Sequence, residues 1–188
     1  MKLDKLAKNI MDKKKKNIAL MGHMGSGKSV LGKLISKQLN FNHVDSDKLI
    51  EKKSNKTINE IFQTKGESYF RLIEENVILE TIYQKKLVLS LGGGSILSPK
   101  IRKALKGNFL TVFLDVDFAI LSKRLIKSKR RPLINDTNIE EKIKELDAIR
   151  RKFYLLADIT LKNHLTITDA LAEFRKKYIE FYEKYNSN

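Results

Sequence analysis

The residues that most restrict what this chain can become are Asn17 to Val30, NIALMGHMGSGKSV. An apolar run, Ile18-Ala19-Leu20-Met21, has the length of one buried strand. It breaks into Gly22-His23-Met24-Gly25-Ser26-Gly27-Lys28-Ser29, the pattern G-x-x-x-x-G-K-[ST]. Glycines let the backbone turn tightly, so that successive N–H groups point into one concavity suited to an anion. Lys28 supplies a point charge for nucleotide β/γ-phosphates, and the Ser29 hydroxyl a ligand for Mg²⁺. A helix opening at Lys28 aims its positive end at the same place. Leu31, Leu34, Ile35 and Leu39 give that helix an apolar stripe. The plainer alternative is a Gly/Ser turn with a lysine by chance. The strand before and the helix after favour nucleotide binding.

At 188 residues the chain suits one α/β domain with a single core. It has no cysteine, which excludes disulfides, thiolate nucleophiles and Cys-based metal sites. No run of about 18 apolar residues is present to span a membrane, and the N-terminus lacks an apolar signal core. A cytoplasmic protein is therefore expected. The formal net charge of +16 admits a nucleic-acid or anionic-surface partner. No basic patch interleaved with aromatics is found, so a lysine-rich solvated surface is the preferred reading and no nucleic-acid partner is expected. Met1–Lys16 reads as a Lys-rich extension that frays or packs loosely, with Leu3, Leu6 and Ile10 at helical spacing.

Farther along, Phe41 to Asp47 reads as a second strand ending in Asp45-Ser46-Asp47. In an extended segment, positions two apart point the same way, about 6.5–7 Å apart. Both carboxylates would then face one site, one in a Mg²⁺ shell and the other accepting a hydroxyl proton. Equally, Asp47 caps a helix beginning at Lys48. Short helical pieces follow at 48–53 and 58–62, the second with a capping box of Thr57 and Glu60. Gly66 punctuates, and 67–83 reads as a helix with Phe70, Ile73 and Val77 on one stripe. Arg71 lies beside that stripe, within reach of Glu74 or Glu75.

Leu87–Leu91 is a strand that runs into Gly92-Gly93-Gly94. Three glycines cost chain entropy and suit close approach of a ligand to bare backbone, or else a flexible turn before the helix start at Ser98-Pro99. A strand at 109–114, a helix at 117–127 and a basic, Pro-punctuated loop at 128–136 come next. Such a loop between two helices closes over phosphates or is merely an exposed charged connection. Ile139, Ile143, Leu146, Ile149 and Phe153 mark a further helix, with Arg150 at the stripe's edge. A strand at 157–161 and a last helix at 166–185 complete the alternation, which points to a parallel sheet. No internal repeat or interdomain linker is found.

Taken in order, GHMGSGKS, the Asp45–Asp47 triplet, FRLIE at 70–74, LGGG at 91–94, RPLI at 131–134 and the segment Arg150 to Tyr154 resemble the shikimate kinases. The resemblance covers Ile18 to Phe174. It implies a three-layer α/β/α phosphate-loop fold with a five-stranded parallel sheet of order 2-3-1-4-5. It also implies transfer of the ATP γ-phosphoryl group to the 3-hydroxyl of shikimate, in aromatic amino acid biosynthesis through chorismate. A single kinase domain over 17–188, with a lid at about 127–137, follows from it.

By that resemblance, Gly25, Ser26, Gly27, Lys28, Ser29 and Val30 hold ATP. Ser29 ligates Mg²⁺, and Asp45 reaches it through water. Asp47 bonds the attacking hydroxyl and acts as base. Arg71 and Arg150 clamp the shikimate carboxylate, for which a guanidinium fork is better shaped than an ammonium. Gly92, Gly93 and Gly94 bring backbone beside the ring. Arg131 meets phosphate charge, which makes it catalytic together with Asp47 and Lys28, and Arg124 stacks on adenine. The family often has R-x-P-L-Y where this chain has Arg150-Arg151-Lys152-Phe153-Tyr154, and the spacing to Tyr154 selects Arg150. Val30 replaces the usual threonine. No base-contacting residue is assigned near 163–168, and His23, His43 and His164 receive no chemistry. A monomer is expected. The nearest rival is a gluconate kinase of the same fold, which should lack the paired arginines with the triple glycine. A second rival is a nucleotide-gated RNA-binding protein, suggested by the charge.

Overall fold

The computed structural model describes residues 17–126, 138–162 and 166–186, and is the structure discussed below. The expected lid with Arg131, the N-terminal extension and His164 lie outside the described residues. In chain order the elements are β1 (Asn17–Met21), α1 (Lys28–Leu39), β2 (Asn42–Asp45), α2 (Ser46–Ser54), α3 (Ile58–Thr81), β3 (Leu87–Ser90), a 3-10 turn (Ser95–Leu97), α4 (Pro99–Asn108), β4 (Phe109–Asp115), α5 (Phe118–Ile126), α6 (Ile139–Tyr154), β5 (Ile159–Lys162) and α7 (Ile167–Asn186). The strands form one sheet in the order β2-β3-β1-β4-β5, with every neighbouring pair parallel.

Successive residues of β1 serve opposite faces, as the pleat requires. Ile18 and Leu20 join a core with Leu31, Ile35 and Leu39 of α1 and with Phe174, Tyr178 and Tyr182 of α7. Ala19 and Met21 join the other core, with Ile78 of α3, Ile101 and Leu105 of α4, and Tyr154 of α6. A sheet covered on both faces explains the near-continuous apolar runs of β1, β3 and β4. Each fully buried Leu, Ile or Val contributes about 1.5–3 kcal/mol. No helix among the described residues is long and apolar enough to cross a membrane.

The helix boundaries follow local chemistry. Thr57 and Glu60 close the expected capping box on α3, and Ser98 caps α4 with Pro99 in its first turn. The helical pieces on either side of Gly66 form one element with a kink, at Gly66 φ 80° and ψ 173°.

Two expectations need correction. Strand β2 ends at Asp45, and α2 starts at Ser46 rather than Lys48. Its cap is Asp45, whose side chain accepts from the Lys48 N–H, so Asp47 is a first-turn residue and not the cap. On α6, the stripe position given to Ile149 is exposed, at 56%. Asp147, at 6%, is buried instead, because it has partners inside the protein.

Candidate active site

The strand order reverses at β1, between β3 and β4. Ligands of open α/β sheets bind beyond the carboxyl ends of the strands at such a switch point. Here the loop after β1 and the triple glycine after β3 leave the sheet side by side. The Leu91 N–H still donates to the Leu20 carbonyl, at 3.0 Å.

Within the phosphate loop, Gly25 and Gly27 adopt φ of 80° and 97°, values open to glycine but strained for a residue with a Cβ. The Lys28 ammonium is buried and donates to the Gly22 and His23 carbonyls at 2.8 and 2.7 Å. Its charge is thereby held against the first residues of the loop. The Ser29 hydroxyl donates to the Asp45 carboxylate.

On one side of the loop lies a groove of about 290 Å³. Gly25, Ser26, Gly27, Val30 and Arg124 line it, opposite an apolar wall of Leu114, Leu161, Ile167 and Ala170. Arg124 donates to the Gly25 carbonyl at 3.2 Å. Five of the residues assigned to ATP thus share one groove, while Lys28 and Ser29 are not part of its lining and Ser29 borders a different hollow. Ile167 and Thr166 were missed. Their place on the wall depends on α7 packing beside the loop, which no local pattern announces.

On the other side lies a cavity of about 260 Å³ lined by Asp47, Arg71, Gly92, Gly93, Gly94 and Arg150, among others. All six residues assigned to the acceptor substrate therefore meet. Asp45 does not join them. It lines a separate surface hollow with Ser29, Lys33 and Lys48. The expectation that both aspartates face one site together is thus corrected. The chain turns helical between them, and neighbours two apart on a helix point to different sides.

The cavity's cations are held in place from behind. Arg71 donates to Glu74 at 2.7 Å and to Glu67 at 2.9 and 3.2 Å. Burial works against its charge, but the two carboxylates outweigh burial and raise its pKa. Glu74 is itself buried, with its second oxygen accepting from Ser95 at 2.6 Å. Of the two acids in reach, Glu74 pairs with Arg71, while Glu75 turns to Ser98 and Lys100. Arg150 keeps its Nε buried without a hydrogen bond, an arrangement that an anion relieves. Arg151 points elsewhere, to Asp115 at 3.1 and 3.2 Å.

Close packing explains the triple glycine. A Cβ on Gly94 would stand 2.6 Å from the Arg71 Cζ, and one on Gly92 would stand 2.6 Å from an Asp47 oxygen. Ser46, unassigned from sequence, fixes the run by accepting from the Gly92 N–H at 2.8 Å. The Tyr154 hydroxyl donates to the Gly93 carbonyl at 2.5 Å. Burial pushes that phenol up to about 12, against the lowering effect of Arg150. Ile58, Phe62 and Phe70 supply an apolar flank.

A phosphate loop beside a cavity lined by two arginines narrows the choice of family, and sequence comparison decides it. A family model described as shikimate kinase matches residues 24–181. The chain belongs to the shikimate kinase family. It is 36% identical over 165 residues to the shikimate kinase of Thermoanaerobacter pseudethanolicus, covering 87% of this chain and 96% of that one. The structure resembles a shikimate kinase from Acinetobacter baumannii in complex with shikimate. That match has a TM-score of 0.85 at 32% identity, over 95% of this chain and 98% of that one. A gluconokinase from Sinorhizobium meliloti shares the fold at TM-score 0.60 and 15% identity, over 93% and 97% of the two chains. At that distance only the architecture is shared. The family's activity is ATP-dependent phosphorylation of shikimate.

Proposed function

We propose that the two cavities hold ATP and shikimate on opposite sides of the phosphate loop, and that the 3-hydroxyl attacks the terminal phosphorus between them. The observation that carries this reading is the meeting of Asp47, Arg71 and Arg150 around one cavity beside the loop. A small acid with ring hydroxyls suits that cavity. Arg71 and Arg150 hold its carboxylate, the triple glycine gives its ring a bare floor, and Asp47 accepts from a hydroxyl. The new bond joins the 3-oxygen to the γ-phosphorus, and the bond from that phosphorus to the β-phosphate's bridging oxygen breaks. Asp47 takes the hydroxyl proton. Lys28, with the loop N–H groups, neutralises charge gathering on the leaving ADP. Arg131 is assigned to the phosphates by resemblance.

The donor set also fits Mg²⁺. Ser29 and Asp45 offer hard oxygens side by side, and this ion needs few protein ligands beside phosphates and water. Among the described residues, no group of three or more His, Cys, Asp or Glu could hold a metal ion, so the phosphates and water would complete the Mg²⁺ shell. When bound, Mg²⁺ would supply charge neutralisation on the phosphates. We assign the chain to the cytoplasm as a monomer, with residues 17–188 as its kinase domain.

Regiochemistry is the test. After reaction with ATP, the phosphorus resonance of the product is expected to couple to the ring proton at carbon 3. Coupling to another ring position would reject the assigned attack. Arg71→Lys is expected to raise KM for shikimate by about tenfold, because a fork making two charge-assisted bonds becomes one point contact. Lysine keeps a cation beside buried Glu74, whereas alanine would strand that carboxylate at a cost of about 3–5 kcal/mol. Initial rates over a range of shikimate concentrations measure the change, and an unaltered KM would count against the clamp.

A further inference from the structure

Two buried polar side chains have no part in the chemistry assigned above. His23 sits inside the phosphate loop and is 5% exposed, while Asp147 on α6 is 6% exposed. They are 124 positions apart in sequence, yet the His23 Nε2 lies 2.7 Å from an Asp147 oxygen. A carboxylate only accepts, so Nε2 carries the hydrogen. Burial, the largest influence, lowers the His23 pKa below its ordinary value despite the opposing pull of Asp147. The contact is a hydrogen bond from the ring N–H to Asp147. The second Asp147 oxygen accepts from Arg151 at 3.5 Å.

The surroundings give this bond a place in the site. The His23 carbonyl accepts from the Lys28 ammonium at 2.7 Å. Its ring stands edge-on to Tyr154, 5.2 Å between centroids at 81°, and Tyr154 in turn bonds the Gly93 carbonyl. Asp147 precedes Arg150 by three residues on the same helix, so both lie on nearly the same side of α6. An aspartate directly after Leu146 and one turn beyond the buried Ile143 carries a desolvation cost unless it is paired. Its main partner here is the loop that holds phosphate, rather than another residue of its own helix. Rotation of α6 about its axis would break this bond and swing Arg150 away from Gly93. A Cβ built on Gly93 would now sit only 3.4 Å from the Arg150 Nη1.

We propose that His23 and Asp147 are positioning residues, whose hydrogen bond fixes α6 against the phosphate loop and so aims Arg150 at the acceptor's carboxylate. This rests on the assignment of Arg150 to that carboxylate. His23 lines the wall of the acceptor cavity, whereas Asp147 stands behind it.

The test is steady-state kinetics on the full chain with three single variants and one double. Asp147→Ala is expected to raise KM for shikimate by about tenfold and to change kcat and KM for ATP by less than about twofold. Asp147→Asn keeps an oxygen facing Nε2 and should return KM to within about twofold of the parent. His23→Phe keeps a ring on the cavity wall and against Tyr154 but removes the donor, and should raise KM for shikimate as Asp147→Ala does. It also provides the same reading should the alanine variant not fold. The pair combined should be no worse than either alone, since one bond is lost only once. A purely structural role would lower the melting temperature and the active fraction without moving KM. Parental KM in His23→Phe, or additive losses in the double variant, would overturn the proposal. Absence of shikimate turnover in the parent protein would instead reject the substrate assignment.

Discussion

Asp47→Asn is expected to lower kcat by about 10²–10⁴-fold, the usual loss when a positioned proton acceptor is removed. Asparagine preserves the shape of the side chain beside Gly92 and can still bond a hydroxyl, so KM for shikimate should move little. It can no longer carry the proton away. Asp47 is a first-turn residue of α2, where a negative side chain also favours the helix terminus, so a stability loss of about 0.3–1 kcal/mol should accompany the change. Single-turnover rates on folded protein separate the two effects. A near-parental rate would remove Asp47 from the chemistry.

Arg150→Ala is expected to raise KM for shikimate by about 10–100-fold, the worth of one or two hydrogen bonds to a charged group. Arg151→Ala should change it by less than about threefold. The difference arises from helix rotation. Adjacent residues on α6 point about 100° apart, which puts Arg150 in the cavity and Arg151 on Asp115. That ion pair is 40% exposed on the arginine side, and such pairs are worth about 0–1 kcal/mol. Initial rates for both variants decide the matter, and a larger effect at Arg151 would reverse the assignment.

These two arginines also mark the limit of what the sequence discloses. Local signals were legible wherever the responsible groups lie within a few residues of one another. The phosphate loop between β1 and α1 is one case, and the Thr57–Glu60 box is another. The alternation of strands and helices, together with the family resemblance, matched the observed strand order. The geometry expected of the Asp45–Asp47 triplet differs from the observed one, because either aspartate can cap a helix. The choice of Asp45 sends the two carboxylates to different hollows. Apolar periodicity turned Ile149 inward, since it does not register that Asp147 has a partner 124 residues away. The wall formed by Ile167 and Leu161 was equally invisible, because it exists only once α7 and β5 are packed beside the loop.

The most direct measurement is ADP release from ATP by the purified protein, compared with shikimate, with gluconate and with no acceptor. Saturable release that depends on shikimate, with only slow release in the other two conditions, is predicted from the meeting of Asp47, Arg71 and Arg150. Release indifferent to shikimate, or driven by gluconate in its place, would contradict it.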